Sequence, residues 1–216
     1  MKTLDLGVKD YLEVVRLQEE LRRKRIAGEI EDTILFVTHP PVITVGKDPK
    51  GKKDFLVPEK QLRKKGIQIV ETCRGGRLTY HGPGQLVVYF IFNLKERRVS
   101  IHQFVCGIQR ACVKLLHSFD LPAEIREKTP GVWSGGAKIA FIGLHVSRGV
   151  TMHGLSLNVG GDLSAWNTFV PCGLANLKVT SMEQELQRSV DVVFVKEKLS
   201  QLSWISEKVI CAASSS

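Results

Sequence analysis

The chain has 216 residues, 43% of them hydrophobic and 25% charged, ordinary values for a soluble globular protein with one sizeable core. No apolar run approaches the length of a bilayer span, which excludes a helical integral membrane protein. Lys and Arg outnumber Asp and Glu by 31 to 22; the net charge of +9 favours an acidic partner without choosing among nucleic acid, anionic lipid and acidic protein.

The first 26 residues read as a strand and then an amphipathic helix, with Leu12, Val15, Leu17, Leu21 and Ile26 at loose helical spacing. They contain Asp and Glu and lack the apolar stretch of a signal peptide, and no mitochondrial targeting pattern is apparent. "DTILFVTHPPVITVG" predicts strand, turn and strand, because Pro40 and Pro41 break any helix. The basic run "KDPKGKK", Lys47 to Lys53, leads through a short helix to the strand "IQIVET". A glycine-rich loop follows, "RGGRLTYHGPGQ" from Arg74 to Gln85, set directly against a buried strand from Leu86 to Leu94. Glycine is entropically costly wherever a backbone is held still, so such a loop implies that something approaches it closely.

Ile101, Phe104, Val105, Ile108, Val113, Leu115 and Leu116 give the segment from Ser100 to Phe119 one apolar helical face, with Ser100 as the N-cap. "GVWSGGAKIAFIGLHVSRGVTMHGLSLNV" reads as three short strands, Gly135 and Gly136 marking one hairpin. Helical spacing returns from Ser181 to Leu202, and residues 211–216 read as a frayed tail. With no repeat or linker, the expectation is a single α/β domain of the α+β type over residues 1–216. Helices would cover a mixed or mostly antiparallel sheet.

The five cysteines are odd in number and form no C-x-x-C pair, and there is no H-E-x-x-H. Neither a disulfide framework nor a metal site is indicated, and a reducing compartment fits best. Cys73, Cys106, Cys112 and Cys211 read as structural, the second and third within the buried helix. Cys172 differs by its flanks. In "FVPCGL", Pro171 fixes the approach and Gly173 leaves the following N–H groups open, which suits a thiol nucleophile with an oxyanion site beside it. The other reading is a small thiol filling space in a core.

Lys138, in "GGAKIAFIG", is either a solvated strand-edge lysine or an inward cation that lowers a thiol's pKa and then shuttles protons. Arg74, Arg77 and His81 share the glycine-rich loop, which is either a structural hairpin or a cradle for a carbonyl or phosphate. The loop fits neither G-x-x-x-x-G-K-[ST] nor G-x-G-x-x-G, so nucleotide binding is unsupported. His153 reads as a satisfied core histidine or as a group that orients substrate. The run from Lys47 to Lys53 is either a solvated loop or a docking patch for an acidic protein.

Together "RGGRLTYHGPGQLVVYFIFNL", "GVWSGGAKIAFIGL", "HGLSLNV" and "VPCGL", in that order, resemble the octanoyltransferase family of the lipoate–protein ligase B type. The resemblance runs over nearly the whole chain. It implies the fold of biotin and lipoate ligases. It also implies transfer of octanoate from octanoyl-acyl carrier protein to a lysine of lipoyl domains, those of the glycine cleavage H protein and of E2 subunits. In that family the cysteine corresponding to Cys172 carries the acyl group and the lysine corresponding to Lys138 activates it. Substrate contacts fall on Arg74, Gly75, Gly76, Arg77, Leu78, Thr79, Tyr80 and His81, then on Phe141, Ile142 and Gly143, and on Gly154, Leu155 and Ser156.

No metal or nucleotide cofactor is implied, since the acyl group arrives on the phosphopantetheine of its carrier. Exchanging one thioester for another is nearly thermoneutral and needs no ATP. Leu78, Phe141, Ile142 and Leu155 are the expected lining of an apolar acyl tunnel. The chain departs from the family pattern at Phe141, where a smaller residue is usual, and at Ala137, where a charged one is frequent. The first change bears on acyl chain length. Neither nucleic acid nor membrane is an expected partner, and bacterial cytoplasm is the expected compartment, with the mitochondrial matrix second. Two other functions are weighed: an ATP-dependent lipoate or biotin ligase on the same fold, and a basic nucleic-acid-binding domain. The first lacks its adenylate loop here, and the second has one "RGG" wedged between apolar strands instead of a repeated, disordered array.

Overall fold

The structure is a computed structural model that describes residues 1–127 and 129–202. The expected tail at 211–216, and Cys211 with it, lies outside the described residues. Among the described residues nine strands form two sheets. The larger has six strands in the order β1-β2-β6-β9-β8-β7 and the smaller three in the order β4-β3-β5.

Strand β1 (Lys2–Val8) runs parallel to β2 (Thr33–Thr38), and α1 (Tyr11–Ile26) crosses between them. Asp10 caps α1 by accepting from the Leu12 N–H at 2.9 Å. The helix turns Tyr11, Val14, Gln18 and Arg25 inward, and leaves Leu12 exposed. The apolar spacing alone would have put Leu12 on the buried face. The Pro40-Pro41 turn does more than reverse the chain. It moves it from one sheet to the other, because β3 (Val42–Val45) pairs with β4 (Gln68–Glu71) and β5 (Leu78–His81) and not with β2.

The basic segment contains a 3-10 turn (Gly51–Asp54) and α2 (Glu59–Lys64), which plugs the small sheet with Leu62. The glycine-rich stretch is only partly a loop: its middle four residues are β5 itself. After it, β6 (Gln85–Ile91) is the central strand of the large sheet, flanked by β2 and β9. Every residue of β6 is buried because both faces are covered.

Helix α3 (Ile101–His117) opens with a capping box, in which the Ser100 N–H donates to Gln103 Oε1 at 2.9 Å and Ser100 Oγ accepts from the Gln103 N–H at 3.2 Å. It buries Phe104, Ile108, Ala111, Cys112, Leu115 and Leu116 against Leu86, Val88 and Phe90 of β6 and Leu155 and Leu157 further along the sheet. Cys112 is a wholly enclosed thiol, its pKa pushed up to about 12 by burial, whereas Cys106 is partly exposed. Strands β7 (Gly131–Ser134), β8 (Ala137–Ser147) and β9 (Val150–Asn158) form the expected antiparallel hairpins, although β8 and β9 are long.

The helical run expected over 181–202 is two helices, α4 (Met182–Leu186) and α5 (Val192–Ser200). Gln187 takes a left-handed conformation (φ 52°) and stops the first; Asp191 caps the second by accepting from Val193 N–H. Val195 and Leu199 of α5 join α3 over the same face of the large sheet. Among the described residues no helix is long and apolar enough to cross a membrane.

Candidate active site

The residues between the two sheets enclose a cavity of about 470 Å³, the mark of a small-molecule site. Its floor is a row set by strand register: Phe141 on β8 lies opposite Ser156 on β9, and Ser156 opposite Val87 on β6. Neighbouring strands are about 4.8 Å apart, so the row spans roughly 10 Å from β8 to β6. Its roof is the glycine-rich stretch of the small sheet, with Gly75, Gly76, Leu78, Thr79 and His81 among the lining. Tyr11 and Tyr89 stand among the residues on the α1 side, and Lys138 and Cys172 are also part of the wall.

Lys138 sits on β8 with 2% of its surface exposed. Its Nζ donates to the Pro130 carbonyl at 2.8 Å and lies 3.7 Å from Cys172 Sγ, although 34 positions separate the two residues in sequence. Burial lowers its pKa, opposed by the neighbouring Cys172 sulfur. The ammonium also faces the rings of Trp133 and Phe141, at 4.8 and 5.0 Å from their centroids. Gly131 makes room for this side chain. At φ 143°, a Cβ on it would fall 2.4 Å from Lys138 Cε, so no other residue fits.

Cys172 belongs to a 3-10 turn (Pro171–Gly173) and is itself left-handed, at φ 56°. A non-glycine residue in that region is uncommon and concentrates at functional sites. Gly173, at φ 69°, follows it, and a Cβ there would lie 2.2 Å from Arg77 Nη1. The Arg77 guanidinium thus occupies the space beside the turn. Arg77 is held by Asp48, through Nε at 3.0 Å, and by Asp54, through Nη1 at 3.2 Å. Both sequence candidates flanking the thiol's turn, Lys138 and Arg77, are therefore fixed by partners that no motif announced.

Arg74 is 7% exposed and has no carboxylate partner among the described residues. It donates instead to Thr44 Oγ1 and O, to the Arg77 carbonyl at 2.7 Å and to its neighbour Gly75 O at 3.0 Å. This pins the glycine stretch to β3. Burial lowers its pKa, but a guanidinium stays protonated in proteins.

His81 and His153 also line the cavity, each held by burial at a pKa of about 3 and therefore neutral at pH 7. His81 Nδ1 is 2.6 Å from Gln85 Oε1, and the Gln85 amide in turn donates to Asn158 Oδ1 at 2.8 Å. His153, left-handed at φ 62°, has its N–H accepted by Gln18 Oε1 at 2.8 Å, while Nε2 lies 3.3 Å from both Cys73 Sγ and Thr72 Oγ1. Ile142, Gly143, Gly154 and Leu155 complete the lining contributed by β8 and β9.

Tyr80 is placed apart from the rest of its segment. It shares its side of β5 with Leu78 but packs its ring edge-on against Trp166, 6.2 Å away. It does not line the cavity. Sequence reasoning missed His39, wholly buried between the Lys9 carbonyl (2.7 Å) and Tyr89 Oη (2.8 Å), and Tyr11, whose ring stacks on His81. A histidine directly before Pro40-Pro41 was the one available signal. It also assigned Ile101 and Val105 to the helix core, whereas both line the cavity. Among the described residues no group of His, Cys, Asp and Glu could hold a metal ion.

With this geometry in place, comparison with known proteins is specific. Residues 10–202 match the lipoyl protein ligase A/B catalytic domain. The chain belongs to that family. An octanoyltransferase of Alkaliphilus metalliredigens is 42% identical over 192 residues, 88% of each chain. One of Caldicellulosiruptor saccharolyticus is 40% identical over 88% of this chain and 82% of its own. Among its family the chain stands with these octanoyltransferases and is, like them, an acyltransferase. The fold is shared with a structure from an archaeal lipoylation system, that of a bi-partite lipoate protein ligase and its E2 lipoyl domain from Thermoplasma acidophilum. That structure superposes with a TM-score of 0.70 at 16% identity, over 93% of this chain and 80% of that one.

Proposed function

We propose that this enzyme takes an octanoyl group from octanoyl-acyl carrier protein onto Cys172 as a thioester and passes it to a lysine of a lipoyl domain. The observation that carries this reading is the 3.7 Å approach of Lys138 Nζ to Cys172 Sγ at the wall of a cavity of about 470 Å³. The octanoyltransferase relatives support the acyl group, and the fold shared with a lipoate protein ligase that has an E2 lipoyl domain as its partner in an archaeal lipoylation system supports the acceptor class. The row from Phe141 to Val87 spans roughly two strand spacings, or 10 Å. An extended eight-carbon chain built from bonds of about 1.5 Å is of similar length, near 9 Å.

The steps follow from the pair. A free thiol is a few per cent thiolate at pH 7. Burial makes Lys138 a weaker holder of its proton, so the neutral amine accepts the Cys172 proton, and the resulting ammonium stabilises the thiolate. Sγ attacks the donor's thioester carbonyl, the tetrahedral intermediate collapses, and the pantetheine sulfur leaves with the proton from Lys138. The acceptor's amine then attacks the Cys172 thioester, its nitrogen loses a proton, and the thiol is restored. The Pro130 carbonyl orients Lys138 throughout. No nucleotide enters the sequence, because the thioester already carries the activation. Lipoate ligation that consumes ATP and survives Cys172→Ala would instead mark an adenylating ligase. The reading places the enzyme wherever acyl carrier and lipoyl domains meet, the bacterial cytoplasm first.

Transfer to a lipoyl domain should be lost in Cys172→Ser, at least a thousandfold, with melting unchanged. Lys138→Ala should slow acylation most at low pH, where thiolate is scarcest. Equal slowing at every pH would mean that Lys138 acts otherwise than on the thiol.

A further inference from the structure

We propose that the basic segment from Lys47 to Lys65 is the docking surface for the acidic carrier protein that delivers the acyl group. This rests on the donor proposed above and adds where that donor sits. The segment has an excess of five positive charges, more than half of the chain's +9. Its carboxylates are all engaged. Asp48 and Asp54 turn to Arg77, Glu59 pairs with Arg63 along α2, and Lys52 pairs with Glu71. Lys50, Lys53, Lys60, Lys64 and Lys65 are exposed and form no ion pair among the described residues. Each carboxylate of the segment is paired, and these five lysines are left unpaired at its surface among the described residues.

The segment is also bonded to the chain that carries the thiol. The Val170 N–H donates to the Asp54 carbonyl at 2.8 Å, the Leu56 N–H to the Thr168 carbonyl at 2.9 Å, and Phe55 bridges Phe169. Two residues after Val170 comes Cys172. Arg77, gripped by the segment's two aspartates, fills the space beside Gly173. Leu56, 63% exposed among the lysines, offers an apolar anchor, and the exposed Leu174 stands at the cavity. An acidic domain seated on the lysines therefore has its acyl arm beside the cavity that contains the thiol. A nucleic acid on the same patch would bring no group that the thiol can use. Complementary charge at such a surface raises association rates by roughly 10- to 1000-fold and loses that gain as salt rises.

The test compares two octanoyl thioesters, one on an acidic carrier protein and one on free pantetheine, as donors to the full-length enzyme. Lys50→Glu, Lys53→Glu and Lys60→Glu combined should lower kcat/KM for the carrier-borne donor at least tenfold at about 50 mM salt. The loss should shrink as salt is raised. The pantetheine donor should stay within twofold. An equal reversal of charge elsewhere, Arg110→Glu, Lys114→Glu and Arg188→Glu, should cost the carrier-borne donor less than threefold. Unchanged use of carrier, or equal losses with both donors, overturns the docking surface. So does a defect confined to transfer onto a lipoyl domain, which would assign the patch to the acceptor. A wild-type enzyme that uses neither thioester overturns the donor reading itself, and is told apart by that.

Discussion

The two faces of the six-stranded sheet are built on different physical terms. Beneath α3 and α5 the contacts are almost wholly apolar: Phe90, Phe92 and Phe104 pack edge-on or tilted at 5.5–5.7 Å between centroids, with Ile108, Leu115, Val195 and Leu199 around them. The opposite face, toward α1 and the small sheet, buries Gln18, His39, Arg74, His81, Lys138 and His153. Such groups are costly to bury and need particular partners. Two of them remain incompletely partnered among the described residues, at Gln18 Nε2 and His153 Nδ1. Left-handed His153 and Cys172 add backbone strain on the same side. One face supplies stability, and the other gives up part of it to hold Lys138 beside Cys172.

That contrast can be broken in order of expected effect. Phe104→Ala should cost about 3–5 kcal/mol of stability. Its acyl-transfer kinetics should stay within twofold wherever the variant is folded, as denaturant melts and steady-state rates would show together. Gly131→Ala should lower the rate as well as the stability. Its Cβ would press on Lys138 Cε and lie 2.5 Å from the Ala140 carbonyl. If Lys138 acts on the thiol as proposed, displacing it by about 1 Å costs on the order of a hundredfold in rate. A rate within threefold of wild type would show that Lys138 need not stand where it does.

Acid sharpens the comparison next. His81 and His153 take up protons only near pH 3 when folded, because they are buried, whereas an unfolded chain's histidines do so near 6.5. Between those values the unfolded state binds more protons, so stability is complete above about pH 6.5 and is lost as pH falls toward 3. The slope is at most about 1.4 kcal/mol per pH unit for each histidine. His81→Gln should remove close to one proton from that slope in denaturant melts at pH 7, 6 and 5. The smallest effect belongs to Cys106→Ser on the partly exposed side of α3, expected within about 0.5 kcal/mol.

The apolar face was legible in the sequence because burial repeats: the spacing of Phe104, Ile108, Leu115 and Leu116 marks α3, and Ser100 marks its start. The active face was legible only at its motifs. Pro171 and Gly173 single out Cys172, and Gly135-Gly136 places Lys138 just past a hairpin. Their meeting depends on β8 bonding to the chain after the thiol, through the Lys138 N–H to the Lys178 carbonyl at 2.8 Å. Nothing local encodes that bond. Tyr80 shows the opposite failure: a motif counted by segment takes in a ring whose place is set by Trp166, a residue far along the chain. Tyr11 and His39 were hidden because their partners come from other elements. Ile101 and Val105 looked like core because an apolar cavity is lined by the same residue types as a core.

Intact mass of the full-length enzyme after incubation with octanoyl-acyl carrier protein, followed by peptide mapping, tests the central claim most directly. One added octanoyl group on the peptide that contains Cys172, discharged when a lipoyl domain is supplied, is the predicted result. A stable label on another residue, or transfer to the lipoyl domain by a protein whose Cys172 has been replaced, would contradict it.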